Sequence, residues 1–224
     1  MILCFDSLRR VNSTVARESD EVVTKQDLSN RVAADLFAFG KSMNIVIAES
    51  PDAAALTRVE IESKRASIPH LVDPIKVDFT RRHQRWTTYF RGESPAGSTA
   101  QRRVLKAVLD GALVGFIAGH LTSRHDMESE IQSFYILREH QRKGIGSTLL
   151  SSLAAWLVSQ GVTSLCVGIA PENSYRAFYL KHGARYLNAH WMYWSHLPPL
   201  ASQNAEQGAA AVALRCTKRL NDEL

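Results

Sequence analysis

The chain has little cysteine: Cys4, Cys166 and Cys216 are all it carries in 224 residues. Their odd number and wide spacing exclude a disulfide framework and a thiolate metal site, and they fit a reducing cytoplasm. Long apolar runs are also lacking. None approaches the roughly 18 residues that read as a membrane span. The opening Met1-Ile2-Leu3-Cys4-Phe5 stops at Asp6, too soon for the core of a signal peptide. There is no internal repeat and no helix-turn-helix, zinc-finger or RNP-type motif, which argues against a nucleic-acid partner. A surplus of positive charge is nevertheless present, 27 Lys+Arg against 22 Asp+Glu. Residues 1–43 hold six of each sign and residues 198–224 three of each, which leaves 18 basic and 13 acidic residues in the middle. A polyanion carrying several phosphates suits that excess. The run Arg81-Arg82-His83-Gln84-Arg85 reads as a solvated helix face.

With 45% hydrophobic and 22% charged residues, the composition is that of a globular domain able to build a core without cross-links. Its most informative stretch is Gln141-Arg142-Lys143-Gly144-Ile145-Gly146-Ser147-Thr148. Before it, Glu130-Ile131-Gln132-Ser133-Phe134-Tyr135-Ile136-Leu137 is β-branched and aromatic with partial period-2 alternation, a strand pattern. After it, Leu149, Leu153, Trp156 and Leu157 fall on one helical face, and Gly161 follows at a C′ position. Strand, glycine turn and helix together make an anion cradle: first-turn amides lack intrahelical acceptors and the helix dipole favours negative charge. Arg142 and Lys143 add cations. A P-loop is excluded because no lysine follows the second glycine. A dinucleotide fingerprint is excluded because Leu149 stands where its third glycine belongs.

The remaining pattern, Gln-x-x-Gly-x-Gly after a strand, resembles the acyl-CoA signature of the GCN5-related N-acetyltransferases. A second stretch, Pro171-Glu172-Asn173-Ser174-Tyr175-Arg176-Ala177-Phe178-Tyr179-Leu180-Lys181-His182-Gly183-Ala184, follows the strand candidate Ser164-Leu165-Cys166-Val167-Gly168-Ile169-Ala170. It resembles that family's second motif, an asparagine opening a short helix, an Ala-Phe-Tyr cluster, a glycine and a closing strand. Upstream, Asp110-Gly111 between two apolar runs signals a hairpin. The resemblance spans residues 44–197. It implies an α/β (α+β) fold: a mixed, mostly antiparallel sheet of about 6–7 strands flanked by about four helices. One departure from the family pattern is that Arg138 and His140 occupy places where relatives often carry proline and an aromatic.

Residues 1–43 are expected to be a flexible extension and residues 198–224 a tail with helical character. Between them the first strand is expected at Met43 to Glu49. A helix capped by Ser50-Pro51-Asp52 should carry Leu56 and Val59, and a second should run from Pro74 to about Phe90. Final strands gather around Trp191-Met192-Tyr193-Trp194.

The resemblance implies acetyl transfer from acetyl-CoA to a primary amine, without a metal. At pH 7 only about one lysine-like amine in 2,500 is neutral, so something must take its proton. By motif position, Gln141, Arg142, Lys143, Gly144, Ile145, Gly146 and Ser147 would hold the diphosphate. Tyr135, Ile136 and Leu137 would pair with the pantetheine, and Asn173 would contact it or cap the helix. Tyr179 matches the family tyrosine that protonates the departing thiolate; the alternative is a core tyrosine. Glu130 matches the catalytic glutamate of many relatives, with Glu128, Asp126, His120 and His125 as competitors. Cys166 reads as core packing rather than a nucleophile. The acceptor stays open between a small amine and a peptide. It would be contacted from residues 68–73 and from Trp191 to Trp194. A homodimer is compatible with all of this. The alternative function is a non-catalytic acyl-CoA-binding module on the same fold.

Overall fold

A computed structural model describes residues 43–71, 78–93, 95, 98–197 and 200. The expected terminal extension and tail therefore lie outside the described residues, except for their inner edges. The element order is β1 (Met43–Ile47), α1 (Ala53–Ser67), α2 (Phe79–Phe90), β2 (Ser98–Leu109), β3 (Ala112–Thr122), β4 (Ser129–Ile136), α3 (Ile145–Ser159), β5 (Leu165–Gly168), α4 (Arg176–Lys181), β6 (Arg185–Tyr186) and β7 (Trp191–Trp194). The strands form one sheet in the order β1-β2-β3-β4-β5-β7-β6, within the roughly 6–7 strands that the resemblance implied. Every pairing is antiparallel except that of β4 with β5.

Local chemistry explains most boundaries. Glu49 and Asp52 form a reciprocal capping box at the turn that leads into α1. The second helix begins at Phe79, later than its sequence pattern suggested. The reason is Asp78, whose side chain accepts the Arg81 amide at 2.8 Å and fixes the start. Residues 74–77 of the expected helix lie outside the described residues. Asp110 and Gly111 both have positive φ, as a two-residue primed turn between β2 and β3 requires.

The two faces of the sheet bury separate clusters. On one, α3 presses Leu149, Leu150, Leu153 and Leu157, all fully buried, against Leu105, Ile117, Ile131 and Met192. On the other, α1 and α2 bring Leu56, Trp86 and Tyr89 onto Phe116 and Ala118. Each buried leucine contributes about 1.5–3 kcal/mol. Strand β4 carries a bulge: Ala118 faces Ser133 but Gly119 faces Ile131, so Gln132 is an additional residue. The bulge shifts the side-chain parity of the strand. Ile131 packs on the α3 face, and after the bulge so do Phe134 and Ile136, while Tyr135 and Leu137 face α1 and α2. That is the reason the strand's alternation in sequence is only partial.

Candidate active site

The ladder between β4 and β5 consists of two positions, Glu130 with Cys166 and Ile131 with Val167. Beyond Ile131 the strands part. The Leu137 amide donates to the Val114 carbonyl of β3 at 2.9 Å. Antiparallel pairing alternates, so Phe134 and Ile136 turn their backbone groups toward the gap. Of the three β4 residues expected at the pantetheine, Ile136 therefore turns its backbone to the open edge, where its carbonyl accepts from Gln141 Nε2, while Leu137 and Tyr135 are paired with β3.

At the far end of β4 the chain enters the glycine turn. Arg142 lies at φ 63 and Gly144 at φ 83, both left-handed. Gly144 is the N-cap of α3, and no side chain caps the helix there. The amides of Ile145, Gly146 and Ser147 accordingly point out of the first turn without intrahelical acceptors. A Cβ on Gly144 would meet nothing within 4 Å, so the space beside this cap is open. Gly146 is the opposite case. A Cβ there would lie 3.2 Å from Ile136 Cδ1 and 3.3 Å from Phe178 Cε2, because α3 is pressed onto β4 and α4. Arg142 and Lys143 are exposed beside the turn. The side chain of Gln141 is occupied within the protein. Its Nε2 donates to the Ile136 carbonyl at 2.9 Å and to Ser67 Oγ at 3.0 Å, and its Oε1 accepts from the Tyr175 hydroxyl at 2.8 Å. Arg138 donates to the Ala66 carbonyl at 2.7 Å, so it ties the turn to α1. Ser147 Oγ pairs with His182 Nε2 at 3.1 Å.

Glu130 and Tyr179 approach the gap from opposite faces of the sheet. Tyr179 belongs to the α3-side core, its ring 6.4 Å from Phe134 and 5.9 Å from Trp194 between centroids. Burial pushes its phenol well above the ordinary value, so it keeps its proton. Glu130 is 6% exposed and sits opposite His120 of β3 in the register. Burial raises its carboxyl, while the charges of Arg124 and Arg85 pull it back down. Its Oε2 lies 3.0 Å from Arg124 Nε, but the N–H is not aligned as a hydrogen bond. It also lies 3.8 Å from His120 Nε2.

His120 is fully buried. Tyr89 donates its hydroxyl proton to the Gly119 carbonyl at 3.0 Å and so accepts at 3.3 Å from His120 Nδ1. This assigns the ring proton to Nδ1 and leaves the Nε2 lone pair facing Glu130. Neither Nε2 nor Oε2 has a hydrogen-bond partner among the described residues. Burial, with help from Arg102 and Arg124, lowers the histidine to about 4. It is neutral at physiological pH. The pair thus has room for one incoming proton.

The other proton acceptors considered from sequence are placed differently. Glu128 Oε2 accepts from the Thr163 amide at 2.7 Å, the Thr163 hydroxyl at 2.8 Å and the Ser164 amide at 3.0 Å, which hold it below the usual range. His125 is packed against Trp191 at 4.5 Å between centroids. Asp126 is exposed on the same turn. Asn173 Oδ1 accepts the Tyr175 amide at 3.0 Å in a turn that precedes α4, whose N-cap is Tyr175. Cys166 is buried in β5, its thiol pushed up to about 12 chiefly by burial, and is inert as a nucleophile. Sequence reasoning did not single out Arg124, Tyr89, Tyr175 or His182. Each reaches its partner through tertiary contact, and no motif spacing marks it.

A model of the Acetyltransferase (GNAT) family matches residues 68–184. Solved structures similar to this chain include a PaiA N-acetyltransferase from Thermoplasma acidophilum in complex with coenzyme A. It is 20% identical, covers 68% of this chain and 97% of its own, and has a TM-score of 0.57. An acetyltransferase from Thermus thermophilus is 21% identical over 68% of this chain and 96% of its own, with a TM-score of 0.55. A GNAT-family acetyltransferase from Staphylococcus aureus is 15% identical over 68% and 98%, with a TM-score of 0.53. No curated protein matches the sequence.

Proposed function

The chain belongs to the acetyltransferase (GNAT) family, and on that premise we propose that it is an N-acetyltransferase moving the acetyl group of acetyl-CoA directly onto a primary amine. The observation that carries this reading is the uncapped start of α3, opened by left-handed Gly144 at the end of an unpaired β4 edge. An amide cluster of this kind fits a diphosphate. The similar PaiA enzyme holds coenzyme A, which supports the same ligand here. The amides of Ile145, Gly146 and Ser147, with Arg142 and Lys143, would hold the diphosphate, and the Phe134 and Ile136 backbone would hold the pantetheine.

When bound, acetyl-CoA supplies a thioester carbonyl open to attack and a thiolate leaving group. Holding it beside the amine is worth about 7–11 kcal/mol through proximity. The Glu130–His120 pair accepts the proton that the amine gives up as its nitrogen bonds to the acyl carbon. Tyr179 presents its hydroxyl proton to the sulfur as the carbon–sulfur bond breaks, and is reprotonated from solvent. Such proton transfers contribute about 10²- to 10⁴-fold. A reducing cytoplasm is the compartment we propose, in keeping with the free thiol of Cys166.

Calorimetry with coenzyme A, followed by thiol release from acetyl-CoA across a panel of amines and peptides, tests the reading. Binding and turnover are expected. Failure to bind would end it, and binding without turnover on any acceptor would favour the non-catalytic module.

A further inference from the structure

The ion pair at the mouth of the site carries information about the acceptor. Arg124 lies on the turn between β3 and β4, where the next two residues, His125 and Asp126, both adopt left-handed φ of 57 and 58. The turn is closed by the Thr122 amide on the Glu128 carbonyl at 2.9 Å and the Met127 amide on the Arg124 carbonyl at 3.1 Å. This conformation holds the Arg124 guanidinium over the Trp191 indole, 5.5 Å from its centroid, with Nε beside Glu130. The side chain is 39% exposed. Among the described residues no hydrogen bond engages its two Nη groups, the fork that suits a carboxylate.

The charge around Glu130 is predominantly positive. Arg85 on α2 and Arg124 both act on Glu130, and Arg102 of β2 acts on the neighbouring His120. Arg102 is committed to the Tyr89 carbonyl at 2.8 Å and to Ser98 Oγ at 3.3 Å. Glu130 is the carboxylate that faces them, and His120 is neutral. With Asp126 and Glu128 exposed on the turn that carries Arg124, a polycationic amine would still meet three guanidinium groups beside the buried carboxylate that has to take its proton. A zwitterion instead matches the Arg124–Glu130 pair charge for charge. The two charges sit 3.0 Å apart, so the acceptor's amine and anion must be close neighbours. In a free α-amino acid a single carbon separates them. In a peptide the α-carboxylate is lost to the amide bond.

Resting on the acetyltransferase reading above, we propose that Arg124 binds the carboxylate of the acceptor, and that the acceptor is a free α-amino acid. Its carboxylate takes over the Arg124 guanidinium, and its ammonium meets Glu130. Glu130 thereby exchanges its contact with Arg124 for one with the amine whose proton it is to take. Trp191 supplies an apolar wall beside the exchange.

The test uses the full chain saturated with coenzyme A, after calorimetry has established that it binds. Free L-amino acids, their carboxamides, N-terminal acidic dipeptides and spermidine are titrated into it, and each is then assayed with acetyl-CoA. At least one free amino acid is expected to bind and to exceed its carboxamide in kcat/KM by roughly 10- to 100-fold. Arg124→Gln should shrink the preference for the acid over its carboxamide in kcat/KM by a similar factor and leave coenzyme A affinity unchanged. Preference for carboxamides, dipeptides or spermidine would overturn the proposal and leave the acetyltransferase reading standing. So would the absence of binding by any amino acid. Loss of coenzyme A binding by the wild-type chain would remove the broader reading as well.

Discussion

Glu130 and His120 face each other as two buried polar atoms without hydrogen-bond partners among the described residues, and their titrations pull stability in opposite directions. Unfolded histidine titrates near 6.5, whereas folded His120 does so at about 4. Between those values the unfolded chain binds a proton that the folded chain refuses, so stability falls as pH falls through the window. Glu130, raised by burial, contributes in the opposite sense, losing stability as pH rises past the ordinary carboxylate range. In urea titrations, His120→Gln should remove about 2 kcal/mol of the stability difference between pH 7 and pH 5. A wild-type-minus-variant difference that is flat with pH would contradict the assignment. Tyr179→Phe should bind coenzyme A as wild type does and lose about 10²-fold or more in kcat; unchanged turnover would take the phenol out of the mechanism. Glu130→Gln should lose a comparable factor in kcat/KM. Cys166→Ser, by contrast, should retain turnover, because the thiol, although beside Glu130 in the β4–β5 ladder, is buried and keeps its proton. Tyr179, Glu130 and the glycines stood in recognisable sequence positions. Arg124 and Tyr89 acquire meaning only from β3–β4 register and the docking of α2, which also set His120 apart from the other proton acceptors considered.

The decisive elements are α3 and β4, and each turns on one residue. Gly144 does two things: it takes the left-handed cap, and it leaves open space at the start of α3. Gly144→Ala should cost about 1–2 kcal/mol of stability from the backbone conformation. It should weaken coenzyme A binding by more than that strain explains, because its methyl group enters the space beside the amide cluster. Equal losses of stability and affinity would argue against a ligand at this turn. In β4 the bulge at Gln132 reverses which face each later residue occupies, so strict alternation could not be read from the sequence. The bulge follows from pairing with β3, a long-range event to which the local sequence is nearly indifferent. The start of α2 at Asp78 is the converse. A capping aspartate stands in the sequence, and its hydrogen bond to the Arg81 amide sets a start that a reading from Pro74 placed too early.

Across the molecule, the chain places its basic surplus in the middle, and the fold gathers part of that charge around Glu130 and His120 as Arg85, Arg102 and Arg124. The gap between β4 and β5 exists because their parallel ladder stops after two positions, and α4, following β5, packs Phe178 and Tyr179 against Phe134 across it. Residues 1–42 precede the first strand, and β1 pairs with β2 along its full length. We propose that a chain beginning at Met43 folds and binds coenzyme A within about twofold of the full chain, since no β1 pairing is removed. Insoluble protein, or loss of binding, would show that the preceding residues complete the domain.

Sequence alone determined the order of elements, the glycine turn and the tyrosine on the short helix. Those features are local: turn chemistry, capping and hydrophobic period act over a few residues. Tertiary structure decided which backbone groups of β4 stay free, which nitrogen of His120 faces Glu130, and that Arg124 joins them. Those depend on strand register, a bulge and burial, which arise when residues far apart in the chain are brought into contact and water is excluded from between them.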